Sequence, residues 1–255
     1  MSEQPIVLEL DNVSKRFGGF AAVDGVSMRL RPGERRALIG PNGAGKTTLF
    51  NLISRRLQLD SGEIRYCDRP IHDLSPHVIC RLGLARTFQI ISICPRLSVR
   101  QNVQLALFAR TGGSRHLLRS ASRFHRAETA AILHDVGLDR VDDFESGLLS
   151  YGDQKRLELA MVLALGPKLL LLDEPTAGME VRTRRGMVEL VRRICAERQL
   201  TLLFCEHDMD AVFSIAETIT VMHQGRILME GSPREVRESA EVRTIYLGHR
   251  HEAGA

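Results

Sequence analysis

A chain of 255 residues and 28.5 kDa has room for one large α/β domain or two small ones, with a sizeable buried core. Its 44% hydrophobic and 26% charged residues are ordinary for a globular protein and argue against disorder. The net charge of +4 comes with three tyrosines and no tryptophan, so few aromatic platforms exist for stacking bases.

The opening Met1-Ser2-Glu3-Gln4-Pro5 lacks the basic start and long apolar stretch of a secretory signal. No apolar run approaches the roughly 20 residues that span a bilayer, so a cytoplasmic location is expected. Residues 6–17 read as a strand, with Ile6, Leu8 and Leu10 alternating. A second strand is predicted near 26–30, with a turn at 31–34, and residues 36–39 read as a short buried strand that feeds a glycine-rich loop. Leu49, Leu52 and Ile53 have helical spacing, which predicts a helix over 46–56. Residues 61–63 read as a turn and 64–66 as a short strand, so the first third is an antiparallel sheet wrapped around a strand–loop–helix unit.

Between residues 88 and 166 the texture becomes helical, with periodic stretches at 102–109, 127–136 and 154–165. The run 110–126 holds five arginines and two histidines, and reads as a solvated face before it reads as a lipid or permease contact. From 169 onward strands (169–173, 201–205, 219–222) alternate with helices (184–197, 211–216), the pattern of a parallel sheet. Residues 249–255 read as a frayed tail. Five scattered cysteines without a C-x-x-C pair read as reduced thiols.

Gly40-Pro41-Asn42-Gly43-Ala44-Gly45-Lys46-Thr47-Thr48 fits G-x-x-x-x-G-K-[ST] between a strand and a helix. Glycines let backbone N–H groups converge on phosphate without a Cβ in the way, and the helix N-terminus favours an anion. Lys46 is expected to reach the β- and γ-phosphates of a nucleotide, and Thr47 to bind Mg²⁺. The apolar strand 169–172 ends 127 positions beyond Lys46 in Asp173-Glu174, at the edge where open α/β sheets place ligands. Asp173 is expected to hold Mg²⁺ and Glu174 to polarise the attacking water. Leu149-Ser150-Tyr151-Gly152-Asp153-Gln154 then opens an amphipathic helix, with Ser150 a capping residue that also presents a hydroxyl to an anion.

With Gln89 between the phosphate loop and this segment, and Cys205-Glu206-His207-Asp208 after the Asp-Glu pair, the motif order resembles the ATP-binding subunits of ABC transporters along nearly the whole chain. The resemblance implies a P-loop NTPase (ABC ATPase) core with an antiparallel β subdomain and an inserted helical subdomain. It implies boundaries at 1–87 (β subdomain and first half of the core), 88–166 (helical subdomain with the signature), 167–235 (second half of the core) and 236–255 (C-terminal helix and tail). It assigns adenine stacking to Phe17, a Mg²⁺- and water-sensing role to Gln89, and a γ-phosphate contact to His207. Ser150, Tyr151, Gly152 and Asp153 form the signature that closes over the phosphate loop of a second ATPase subunit. Residues 176–180 match the loop that communicates across that dimer. ATP and Mg²⁺ are the implied ligands, with transmembrane permease subunits and, indirectly, a substrate-binding protein as partners.

Lys15-Arg16-Phe17-Gly18-Gly19, Glu206-His207-Asp208-Met209 and the ending Val242-Arg243-Thr244-Ile245-Tyr246-Leu247-Gly248 are similar to the branched-chain amino acid uptake subfamily. Two departures stand out: Asp153 where the signature has Gln or Glu, and Glu180-Val181 where a short polar residue and proline are usual. The expected function is therefore the ATP-hydrolysing motor of an importer peripheral to the inner face of the membrane, with a heterodimer of ATPase subunits favoured. Urea or short amides are the alternative cargo, and a soluble ATPase acting on nucleic acid or ribosomes the alternative class.

Overall fold

The computed structural model describes residues 5–87, 92–111 and 125–251. Strands β1 (Leu8–Phe17) and β2 (Phe20–Leu30) form a hairpin, and β3 (Arg35–Ile39) leads through the glycine-rich loop to α1 (Lys46–Ile53). There follow β4 (Ser61–Tyr66), β5 (Arg69–Pro70), α2 (Pro76–Leu82), β6 (Leu84–Arg86), α3 (Val99–Thr111), α4 (Arg126–Val136) and α5 (Tyr151–Ala164). The chain continues through β7 (Leu169–Asp173), α6 (Val181–Arg198), β8 (Thr201–Cys205), α7 (Met209–Ile215), β9 (Thr218–His223) and β10 (Arg226–Gly231) to α8 (Pro233–Glu238) and α9 (Ala240–His251).

Two sheets organise these elements: an antiparallel one ordered β2-β1-β4-β5, and a six-stranded one ordered β10-β9-β3-β8-β7-β6. In the second, β6, β7, β8, β3 and β9 run parallel, and only β10 is antiparallel. Both faces of this sheet are covered, which is why β7 (LLLLD) and β8 (TLLFC) are apolar runs without polar alternation and are buried throughout. The period of two survives in how they pack. Leu170, Leu172, Leu202 and Phe204 enter the core shared with α3–α6. Leu169, Leu171, Leu203 and Cys205 enter the core shared with α1 and the antiparallel sheet. The end of β7, where Asp173 stands, is thus clamped between two hydrophobic layers.

Several elements differ from their sequence prediction. Strand β2 starts at Phe20, six residues before the predicted 26, because its first half is half-exposed hairpin without a clean alternation. The first helix stops at Ile53, not 56, because Arg55 adopts a left-handed φ of 58°. Helix α5 does begin at the expected cap, three residues ahead of the periodic stretch 154–165: Ser150 accepts from the Asp153 N–H at 3.2 Å, so the signature residues form the first turn. The C-terminal region carries two helices, and the boundary drawn between 235 and 236 falls inside α8, whose Ser232 and Glu235 form a reciprocal capping box. Most of the basic run 110–126 lies outside the described residues.

Candidate active site

The loop between β3 and α1 is shaped by close backbone approaches. A Cβ on Gly40 would stand 2.3 Å from the Met222 carbonyl oxygen, and one on Gly45, at φ +101°, 2.3 Å from that of Ala22. Those two glycines therefore make room for the protein's own strands. Gly43, at φ +79° with open space around it, is the one whose missing side chain clears the cleft itself. The loop ends at the N-terminus of α1, which starts at Lys46. The Lys46 ammonium donates to the carbonyls of Gly40 at 2.7 Å and Pro41 at 3.0 Å. Burial pushes its pKa below the ordinary lysine value, partly offset by attraction to Glu174 and Asp173.

A cleft of about 460 Å³ lies over this loop, within the range of small-molecule sites. It brings together Asn42, Gly43, Ala44, Gly45, Lys46, Thr47 and Thr48 with Phe17, Phe20, Glu174 and His207. Phe17 and Phe20 face each other across the tip of the β1–β2 hairpin and stay 49% and 61% exposed, so they offer aromatic surface to the cleft and not to a core. Phe20 was not among the expected residues, since nothing in the sequence marks it apart from any other phenylalanine.

Opposite the aromatics, the Glu174 carboxylate Oε1 lies 2.9 Å from His207 Nε2. A carboxylate only accepts, so in this contact Nε2 carries the proton. Glu174 sits just past β7 at φ 51° and donates its N–H to the Cys205 carbonyl at 3.0 Å, which locks the two strand ends together. His207 is held in turn by Glu206, a buried carboxylate to which the motif alone assigns no role. It accepts from the Thr176 N–H at 2.8 Å and hydroxyl at 2.6 Å with one oxygen, and from the His207 N–H at 3.1 Å with the other. Asp208 caps α7, and the Ala211 N–H followed by the Arg184 guanidinium holds its carboxyl below the usual range.

Asp173 is 2% exposed and does not line the cleft; its Oδ2 accepts from Arg86 Nη2 at 2.7 Å. Thr47 and Asp173 supply a hydroxyl and a carboxylate. No cluster of three or more His, Cys, Asp or Glu able to hold a metal exists among the described residues. So sparse a set of hard oxygens fits Mg²⁺, which keeps several waters and takes phosphate oxygens alongside one or two carboxylates. Gln89 lies outside the described residues.

The signature turn stands apart from the cleft-lining residues. Ser150 Oγ donates to Asp153 Oδ2 at 2.8 Å, and the Tyr151 hydroxyl donates to the Ala177 carbonyl at 3.2 Å. Gly152 lets α6 approach, since a Cβ there would meet Thr183 Cγ2 at 2.6 Å. Within one chain, then, the phosphate loop, Glu174 and His207 share a cleft that Ser150–Asp153 does not enter.

Residues 23–177 match the ABC transporter family. Over 95% of this chain and 98% of the relative, the sequence is 35% identical to the high-affinity branched-chain amino acid transport ATP-binding protein BraF of Pseudomonas aeruginosa. The fold matches the ADP conformation of MJ1267, an ATP-binding cassette of an ABC transporter, with TM-score 0.82 and 28% identity over 95% of this chain and 99% of that one. It also matches the dimeric post-hydrolysis state of the ATP-binding cassette MJ0796 bound to ADP and Pi, with TM-score 0.76 and 25% identity over 89% and 99%. Among the described residues no helix is long and apolar enough to cross a membrane.

Proposed function

The chain belongs to the ABC transporter family, and from that premise we propose that it is the ATP-hydrolysing motor subunit of an importer for branched-chain amino acids. The observation that carries the chemistry is the single cleft shared by Lys46, the α1 N-terminus, Glu174, His207 and two exposed aromatic rings. Phe17, with Phe20 beside it, stacks on the adenine. The loop N–H groups and Lys46 hold the phosphates, and the ammonium turns from the Gly40 and Pro41 carbonyls toward them.

Glu174 accepts a proton from the attacking water on Oε2, while the His207 N–H orients the carboxylate by holding Oε1. Thr47, Asp173 and Gln89 are the residues that would hold Mg²⁺, which supplies charge neutralisation on the phosphate oxygens. The cargo reading rests on the agreement with BraF over nearly the full length of both chains. The signature residues Ser150, Tyr151, Gly152 and Asp153 complete the site of a second ATPase subunit, preferably a heterologous one. The pair works at the inner face of the membrane through permease subunits served by a substrate-binding protein.

The test is Glu174→Gln, which removes the proton acceptor and leaves the phosphate loop intact. Turnover is expected to fall by about 10²–10⁴ with ATP binding retained, measured as steady-state hydrolysis and nucleotide binding on one preparation. Leucine uptake by vesicles holding the assembled transporter should fall with it. Near-normal turnover would remove Glu174 from the role, and ATP-driven uptake of an amide in place of leucine would reassign the cargo.

A further inference from the structure

Asp173 is the one buried carboxylate at the end of β7, and something must neutralise it before any cation arrives. In this fold the Arg86 guanidinium does so by direct contact, with the Lys46 ammonium near enough to add its attraction. Arg86 Nη2 donates to Asp173 Oδ2 at 2.7 Å, with the two side chains only 6% and 2% exposed. The other terminal nitrogen, Nη1, donates to Asn51 Oδ1 at 2.8 Å and Ser54 Oγ at 2.9 Å. Both acceptors belong to the end of α1, the helix that begins with Lys46 and Thr47. The Phe50 ring packs 5.4 Å from the guanidinium carbon. One planar group thus joins β6, α1 and β7 below the phosphate loop.

We propose that Arg86 is a positioning residue for the Asp173 carboxylate. By taking Oδ2 in a fixed, planar, ring-backed geometry it sets the carboxylate plane. Among the described residues only Oδ2 accepts a side-chain hydrogen bond, and Oδ1 is the oxygen that would meet the cation or a water the cation holds. The geometry calls for arginine: lysine is a compact point charge that cannot span Asp173, Asn51 and Ser54 together or stack on Phe50. Groups that orient a metal-binding side chain from behind commonly affect metal affinity by about 10–100-fold. The inference rests on the ATPase reading of the site and goes beyond it, since Arg86 touches neither nucleotide nor metal.

The experiment compares the full chain with Arg86→Lys, which keeps the buried charge balanced, and Asn51→Ala, which removes one anchor of the guanidinium. Nucleotide binding is measured with a fluorescent ATP analogue in EDTA. Metal binding is measured with Mn²⁺ and a non-hydrolysable ATP analogue by electron paramagnetic resonance. Arg86→Lys is expected to keep metal-free nucleotide affinity within about twofold and to weaken Mn²⁺ by about 10-fold or more, with Asn51→Ala shifted in the same direction by less. Should Arg86→Lys fail to fold, the Asn51→Ala shift decides. Unchanged Mn²⁺ affinity overturns the inference, as does tighter binding, which would make the guanidinium a competitor of the metal. Equal loss of metal and nucleotide assigns Arg86 to packing alone and also overturns it. A parent chain that binds no nucleotide refutes the ATPase reading itself, which is a separate outcome.

Discussion

Glu174 occupies a backbone conformation that L-residues avoid, φ 51°, at the point where β7 ends and the cleft begins. Such a residue costs of order 1–3 kcal/mol and persists only where its surroundings hold it. Here the hold is its own N–H on the Cys205 carbonyl and its carboxylate on His207. Glycine relieves that strain and glutamine does not. Glu174→Gly is therefore expected to be more stable than Glu174→Gln by about 1 kcal/mol, read by urea denaturation of the nucleotide-free chain, with turnover strongly reduced in both variants. Equal stabilities would mean that the surrounding hydrogen bonds, and not the backbone, set the energy at this position. Lys46, Thr47, Glu174, His207 and Phe17 were legible in the sequence because each sits at a fixed offset inside a local motif. Arg86 and the bonding role of Glu206 were not, since their partners Asp173 and Thr176 lie 87 and 30 residues away and only the sheet brings them together.

The same divide between local and distant information appears among the elements. Strands β7 and β8 were legible because burial on both faces leaves an uninterrupted apolar run. Strand β10 went unread because its residues are half-exposed and lack alternation, although it closes the sheet beside β9. Helices α2 and α8 are only seven and six residues long, too short for periodicity, yet each carries a Ser-Pro start that capping rules recognise. Capping also makes sense of the Glu180-Val181 departure. Glu180 is the N-cap of α6 without a side-chain capping bond, and Val181 is its first helical residue, 61% exposed. At that position the N–H has no acceptor within the helix, so proline loses nothing there. Glu180, at φ −63° and ψ 153°, already has the extended conformation that a following proline demands. Val181→Pro should stabilise the chain by about 0.4–1 kcal/mol through the unfolded state, seen as a melting temperature higher by roughly 1–4 °C. A lower melting temperature would show that this N–H bonds outside the helix.

At the scale of the molecule, the proposed site is divided. The cleft holds the phosphate loop, Glu174 and His207, while the Ser150–Asp153 turn is not among the residues that line it. A relative of similar fold is a dimeric cassette bound to ADP and Pi, and in the pairing proposed above each signature turn would meet the other chain's cleft. In this chain the Ser150 hydroxyl is occupied by the Asp153 carboxylate at 2.8 Å. To meet a phosphate it must leave that acceptor, and the carboxylate, offset only by a long 3.7 Å ion pair with Arg156, then faces the phosphates as a like charge. A pair of identical chains carries this cost twice, in an interface where water no longer screens it. Self-association with ATP is thus expected to be weak, and a different ATPase subunit with the uncharged Gln at the matching position the better partner. Sedimentation of Glu174→Gln with ATP, alone and with the candidate partner, measures this directly. Adding Asp153→Gln to the Glu174→Gln chain removes the repelling charge while retaining a side chain that can reach back to the cap. It is expected to tighten self-association by about tenfold or more, a change of about 1.4 kcal/mol. A tight ATP-dependent homodimer of the Glu174→Gln chain, unimproved by either the partner or Asp153→Gln, would show that the Asp153 charge is already met by a cation, its own Arg156 or one across the interface.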